Sequence, residues 1–518
     1  MNLVSSLNRR IALVCLSCAA LAGVGCSRQP KEAGATTPEL VIYYNAEEQP
    51  SEKSAVSQII QAQLRQKGIP VRLDPVSNTL YNERLSKGDF QCTLNLWLLD
   101  YNDPEGYLTD FYSKAGYRTA KYDNPEYDRL YLAGLRAPTE TDKFRYYRQA
   151  VDLLSKELPW VPLYSNDELY LFRSGAEGYI SNAYQYYDYR RVTLESVRAA
   201  SDVEVQTFDP ALAYDTASKH MVTQAYEGLI ALDGQAKIVP ALATSWQFSP
   251  EGDTLTFHLR GGVRFHQPPG ANWLKPRPMD SEDVRASFER LLKSTSPYTY
   301  IFNYVQGAEE FKNGKAKNVS GFQTPNASTF VIALKQPFPT MLEWLLAPAA
   351  YILPREVPTN YDFSRGSVGT GAFALTSWDG AVARFQANGD YWLSEKGVRL
   401  PLAKQLSIRI IKDSNAALEA FRAGELDILN VPLALYSEIL DGNGNLKPAY
   451  KQYAFREVKL LNLKYLAFNM QAAPWGKSVE LRRRVSEAID RRAITDQLFR
   501  GKARVATSVI PSGIPGFE

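Results

Sequence analysis

The stretch Leu96-Trp97-Leu98-Leu99-Asp100-Tyr101-Asn102-Asp103-Pro104 concentrates the residue types that could do chemistry in this chain. An apolar run from Thr93 to Leu99, entered through Gly88-Asp89-Phe90, predicts a short buried strand ending in acids, aromatics, an amide and a proline. Scaffolds typically present a ligand site where a strand leaves the core and stops in such a cluster. Asp100, half walled by Trp97 and Tyr101, could hold one ammonium group through charge-assisted hydrogen bonds. Because dehydrating a carboxylate is costly without a partner, such a site favours a cationic end group over a neutral solute. The same aspartate could instead open a turn ahead of Asn102 and Pro104, and the local pattern leaves both readings standing.

Other chemistry has no visible carrier. The chain has three histidines, His220, His258 and His266, of which the last two fall in a strand pair predicted over Phe257 to His266 and read as structural. There is no His-Glu-x-x-His, no Gly-x-Ser-x-Gly and no Gly-x-x-x-x-Gly-Lys. Gly369-Thr370-Gly371 lacks the surroundings of a nucleotide loop and reads as a tight turn. Nothing pairs a nucleophile with a base, so the expectation is a binding protein without cofactor, metal or enzymatic activity.

At 518 residues the chain is long enough for two or three domains. Its 45% hydrophobic and 22% charged residues are those of a globular protein, and a net charge of +3 is too weak to argue for nucleic acid. The 31 tyrosines and 8 tryptophans suit a large, wet ligand cavity and equally a β-rich core. Arg9 and Arg10 precede an apolar run from Ile11 to Ala22, followed by Gly23-Val24-Gly25-Cys26. This predicts a lipoprotein-type signal over 1–25, lipidation of Cys26 and a flexible tether over 26–38. Gly23 departs from the leucine usual at that position. With Cys26 lipidated, Cys92 has no partner for a disulfide and reads as inert core.

Helices and strands flank the cluster on both sides. A strand is predicted over Glu39 to Asn45, an amphipathic helix over Lys53 to Lys67 stopped by Gly68, a strand over Ile69 to Leu73 and a helix over Tyr81 to Ser86. A long helix over Lys143 to Leu158 is broken by Pro159-Trp160-Val161-Pro162-Leu163-Tyr164, which starts a short strand. Strands alternating with helices predict an α/β lobe.

The cluster resembles the Asp-Tyr-Asn-acid-Pro loop of the bacterial extracellular solute-binding proteins, family 5, the periplasmic peptide-binding proteins of ABC importers. The block from Glu39 to about Arg191 resembles their C-terminal third, through Gly68-Ile69, Gly88-Asp89-Phe90, Asn124-Pro125-Glu126-Tyr127-Asp128 and Pro159 to Tyr164. The remainder of the chain resembles their N-terminal portion. The matching motifs are Phe208-Asp209-Pro210-Ala211, Ala225-Tyr226-Glu227-Gly228-Leu229, Ser281-Glu282-Asp283-Val284 capping a helix to Arg290, Val368 to Phe373, Ala420 to Asp427, Leu466 to Asn469, Ala488-Ile489-Asp490-Arg491 and Ile510-Pro511. The two blocks stand in the reverse of the family's order, and neither motif set occurs twice. This predicts a circular permutation, with a rearranged or fragmentary reading frame as the alternative.

The resemblance implies a two-lobe α/β fold of the periplasmic binding-protein type, type II with an extra subdomain, closing about a hinge on an extended peptide. One lobe is expected from 39–164 with 462–518 and the other from 165–461. It further implies that Asp100 holds the peptide's α-amino group, that Leu96 and Leu98 offer backbone groups, and that Trp97 and Tyr101 line the first pocket, with Asn102 also among the binding residues. Tyr214 and Thr216 are expected to reach the ligand from the other lobe. Relatives for oligopeptides carry an arginine three residues before the loop's tryptophan, where this chain has Leu94, so peptide length stays open. The implied partners are a peptide ligand, ABC importer permease subunits and the membrane through the lipid, with a monomeric protein in the cell envelope. A sensor or assembly protein on the same scaffold, or a binder of a non-peptide solute, is the alternative.

Overall fold

Parallel strands joined by helices begin the fold, as the alternation in the sequence predicts. The structure, a computed structural model, describes residues 37–99, 101–115, 118–137, 139–268 and 271–517. The predicted signal and tether, with Cys26, therefore lie outside the described residues apart from 37 and 38. Strand β1 (Leu40–Asn45), helix α1 (Pro50–Gln66), strand β2 (Val71–Val76), helix α2 (Asn78–Lys87) and strand β3 (Cys92–Leu98) come first. Ser77 caps α2 through the Leu80 amide, and Gly88 ends it with a left-handed φ of 71° that a side chain would strain. Helix α3 (Pro125–Leu135), capped by Asn124, and helix α4 (Glu140–Glu157), capped by Thr139, lead to strand β4 (Trp160–Phe172). The strand predicted over Pro159 to Tyr164 is thus the opening of a much longer one. Its last residues, Asp167 to Phe172, pair with the segments 428–430 and 454–459.

Strand β5 (Ser196–Ser201) and helix α5 (Thr216–Ala225) come next, then β6 (Ala243–Phe248), β7 (Thr254–Leu259), α6 (Ser281–Lys293), β8 (Phe322–Asn326) and β9 (Thr329–Ala333). After them come β10 (Phe373–Trp378), β11 (Val382–Ala387), β12 (Gln405–Ile410), α7 (Ser414–Arg422), β13 (Ile428–Asn430), β14 (Ala454–Lys459), β15 (Asn462–Phe468), α8 (Val479–Ala488) and β16 (Ala503–Val505). The N-cap of α6 is Asp280, one residue before the predicted Ser281, because Asp280 and Asp283 cap each other's backbone amides reciprocally.

Among the described residues an eight-stranded sheet runs β13-β4-β15-β3-β1-β2, with β14 and β16 also paired to β4. Two four-stranded sheets run β6-β7-β9-β8 and β10-β11-β12-β5. The fold is mixed α/β with sheets flanked by helices, the class expected of the two-lobe solute-binding fold. In the large sheet β15 lies antiparallel between β3 and β4, so the beginning and the end of the sequence share one sheet. Residues 165–172, 428–430 and 454–459 belong to it as well. One buried apolar cluster holds Leu94, Val161 and Leu466 against Val56 and Ile60 of α1, and another holds Tyr107, Phe111 and Trp160 together with Leu345 and Ile352.

The predicted glycine turn is explained by close approach. A Cβ on Gly371 would sit 2.6 Å from the Gln224 carbonyl oxygen at the end of α5. His266 is buried beside this turn, bonding Ser367 Oγ at 2.9 Å and the Gly371 carbonyl at 2.8 Å, and burial pulls its pKa down to about 4. It lies outside strand β7, which contains His258.

Candidate functional site

Strand β3 and the turn after it carry most of the predicted site. The strand alternates its side chains between two faces. Its register against β15 sets Leu96 opposite Lys464, Trp97 opposite Leu463 and Leu98 opposite Asn462. On its other side β1 pairs with it only at Cys92 and Thr93. Among the described residues no strand pairs with that edge from Leu94 to Leu98. The Leu96 amide donates to Oδ1 of its neighbour Asn95 at 2.9 Å. A strand edge with no ladder partner is a template for another extended chain.

Trp97 lies half-buried, its ring 6.0 Å from Trp160, which stacks on Tyr465 of β15 at 3.7 Å. Asp100 lies outside the described residues. Tyr101 is buried and its hydroxyl donates to Glu105 Oε2 at 2.6 Å, which fixes the ring within the apolar core. Asn102 Oδ1 accepts from the Tyr184 hydroxyl at 2.6 Å. The turn is thereby tied to chain beyond β4.

The acids after the turn are held from below. Asp103 accepts from the Glu105 amide at 2.8 Å and forms an ion pair with Lys143 of α4. Glu105 is 1% exposed and receives Tyr101, Tyr131 at 2.5 Å and the Trp344 indole at 3.2 Å. Burial pushes its carboxyl above the ordinary range, against the pull of these donors. Glu343 stands beside this group with its Oε2 buried and unpartnered, and burial, then the Asp103 charge, push it up to about 7. Sequence reasoning missed Glu105, Tyr131, Lys143, Tyr184, Glu343 and Trp344. The one signal was the acid spacing Asp103-Pro104-Glu105, since the others arrive from distant segments.

Tyr214 and Thr216 stand on a separate segment. Tyr214 is 59% exposed, and Thr216 is the first residue of α5, which Asp215 caps through the Ser218 amide at 2.8 Å. The structure groups Leu96, Trp97, Leu98, Tyr101 and Asn102 on β3 and the turn after it, and Tyr214 and Thr216 belong to a different part of the chain. Recesses of about 300 Å³, beside Phe208, Tyr361 and Trp378, and about 410 Å³, beside Tyr43, Arg72 and Arg84, are lined by other residues. Among the described residues no group of three or more His, Cys, Asp or Glu is placed to hold a metal, and no helix is long and apolar enough to cross a membrane.

The family model described as bacterial extracellular solute-binding proteins, family 5 Middle, matches residues 28–119 and 237–518. The oligopeptide-binding protein OppA of Bacillus subtilis is 27% identical over 326 residues, 60% of this chain and 55% of that protein. Di/tripeptide-binding protein 1 of Pseudomonas aeruginosa is 28% identical over 291 residues, 54% of this chain and 50% of that protein. The chain spans about half the length of the curated relatives it matches. Among solved structures, the murein tripeptide-binding protein MppA of Escherichia coli is similar at 22% identity and a TM-score of 0.42, over 48% of each chain.

Proposed function

Since the chain belongs to the bacterial extracellular solute-binding proteins, family 5, we propose that it captures extended peptides along the open edge of β3 and delivers them to the permease of an ABC importer. The observation that carries this reading is the unpaired edge Leu94–Leu98, which ends next to Asp100. Backbone pairing along that edge holds a peptide without regard to its side chains, while Asp100 holds the α-amino group. Trp97, Tyr101 and Asn102 shape the first position, and Tyr214 and Thr216 meet the peptide when the lobes close.

The same reading makes 39–164 with 462–518 one lobe and 165–461 the other. The sheet pairing favours moving the boundaries so that 165–172, 428–430 and 454–459 join the first lobe. The reversed block order is read as a circular permutation. Its support is that β15 fills the place between β3 and β4, joining what relatives carry as neighbouring parts of one lobe. Cys26 is read as a lipid anchor that keeps a monomeric protein at the cell envelope.

Isothermal titration with trialanine and N-acetyl-trialanine tests the reading. Asp100→Asn, and acetylation of the ligand, are each expected to weaken binding by at least about tenfold, the loss of a charged hydrogen bond. Equal affinity for both ligands, or indifference to Asp100→Asn in a folded protein, would sink it.

A further inference from the structure

The turn that carries Asp100 rests on the residues that follow it. A Cβ on Gly106 would lie 2.5 Å from Leu99 and 3.5 Å from the ring of Tyr101, so the residues on either side of Asp100 press on the backbone after Glu105. Glu105 in turn takes the Tyr101 hydroxyl at 2.6 Å and, from 239 residues away, the Trp344 indole at 3.2 Å. Trp344 is wedged edge-on against Tyr300 and Phe338, with ring centroids 5.0 and 4.7 Å away. One side of this seat belongs to 39–164 and the other to 165–461, the two lobes proposed above.

Glu343 enters that seat with its charge unanswered. It shares the single helical turn Met341–Trp344 with Trp344, so a displacement of one carries the other. Its Oε2 is buried and has no hydrogen-bond partner among the described residues. Asp103 and Glu105 act on it from the turn and Lys143 from α4, and Lys143 is already paired with Asp103. Tyr147 of α4 and Tyr304 border the same two acids, and the Tyr147 hydroxyl likewise has no partner among the described residues.

A neutral acid tolerates this place and a carboxylate does not. Ionised, Glu343 is a dehydrated charge facing a second carboxylate, Asp103, with no donor on Oε2. Moving into water relieves it, and the shared helical turn then lifts Trp344 off Glu105. Burial, then the Asp103 charge, raise Glu343 from its ordinary 4.5 to about 7. The seat is therefore complete below about 4.5, still held at pH 6, and lost as pH rises through about 7.

We propose that Glu343 is a positioning residue for the amine-binding turn: as the neutral acid it lets Trp344 seat on Glu105 and hold the turn that carries Asp100, and as the carboxylate it unseats both. This inference rests on the peptide capture proposed above and adds its regulation, a grip that fades in alkaline surroundings. Glu343 itself acts through Trp344 and Glu105, not on the ligand.

Titration with trialanine across pH 6 to 8.5, on wild type, Glu343→Gln and Trp344→Phe, tests it. The peptide's α-amino group also titrates, at about 7.7–8.0, but alike for all three proteins, so the difference between their profiles is read. Over that range wild-type affinity is expected to fall about five- to tenfold further than that of Glu343→Gln, whose neutral amide cannot ionise. Trp344→Phe keeps a ring, loses the indole donor, and should bind more weakly at pH 6 with a flattened profile. Hydrogen exchange without ligand, corrected for the intrinsic rate, should rise with pH at residues 101–103 in wild type and stay level in Glu343→Gln. Parallel affinity profiles for wild type and Glu343→Gln, or equal exchange in the two, overturn the positioning role even where Asp100→Asn abolishes binding. Wild-type protein that binds no trialanine at any pH sinks the peptide reading instead, and level exchange at 101–103 in wild type is then the result that overturns the seat.

Discussion

On the face of β3 that carries Trp97, Glu105 is ringed by neutral donors, two tyrosine hydroxyls and an indole. On the opposite face Glu52 meets an ammonium, with Tyr164 as its second donor. Both carboxylates are buried, yet one is satisfied by hydrogen bonds and the other by charge. A carboxylate among neutral donors has a raised pKa and no counter-ion to exchange, which suits a fixed scaffold beneath the turn. Glu52 is satisfied instead by a buried ion pair with Lys464 at 2.7 Å. The strand thus has a face held by neutral donors and a face held by charge.

Three changes probe that difference, in descending order of effect. Lys464→Met alone strands Glu52 without its cation and is expected to cost about 3–5 kcal/mol in denaturant unfolding. A cost no larger than that of the Lys464→Met/Glu52→Gln pair would mean that this second face is not charge-held.

On the face held by neutral donors, Glu343 binds its proton more tightly folded, with a value of about 7, than its ordinary 4.5. Between these values the unfolded chain binds fewer protons, so its contribution is complete below about 4.5 and is lost as pH rises toward 7. Glu343→Gln should therefore flatten the fall in stability across that window and stabilise the protein at pH 8 by about 1–3 kcal/mol. Thermal unfolding at a series of pH values checks this, and an unchanged slope would place the titration elsewhere.

Tyr184→Phe removes the donor to Asn102 and should cost about 0.5–1.5 kcal/mol. Hydrogen exchange should rise at residues 101–103 and remain unchanged at Gln49 to Lys53. Equal loosening of both places would erase the distinction between the faces.

Much of this arrangement was legible in the sequence. The apolar run ending in Asp100 predicted β3 and its exit, and the helices over α1, α2 and α4 followed from periodicity and their stops. Partners brought by the fold were not legible. Trp344 reaches Glu105 from 239 residues away, and no local pattern encodes that meeting. Lys464 left one trace: a lysine inside Asn462-Leu463-Lys464-Tyr465-Leu466-Ala467-Phe468, a strand buried at every position. A charge in such a run needs a buried partner, but periodicity does not say which. The N-cap of α6 slipped by one residue because Asp280 and Ser281 are both good caps, and the reciprocal bond with Asp283 decided between them.

The placement of β15 also bears on how the chain assembles in time. Asn95 and its partner Tyr465 are 370 residues apart, so at ribosomal speeds of about 5–20 residues per second β3 and β4 wait roughly 20–70 s for the strand that joins them. Until then each offers an apolar, unpaired edge to any other nascent chain. Order of synthesis and order of assembly are uncoupled here, and the central seam of the large sheet is among its last to close.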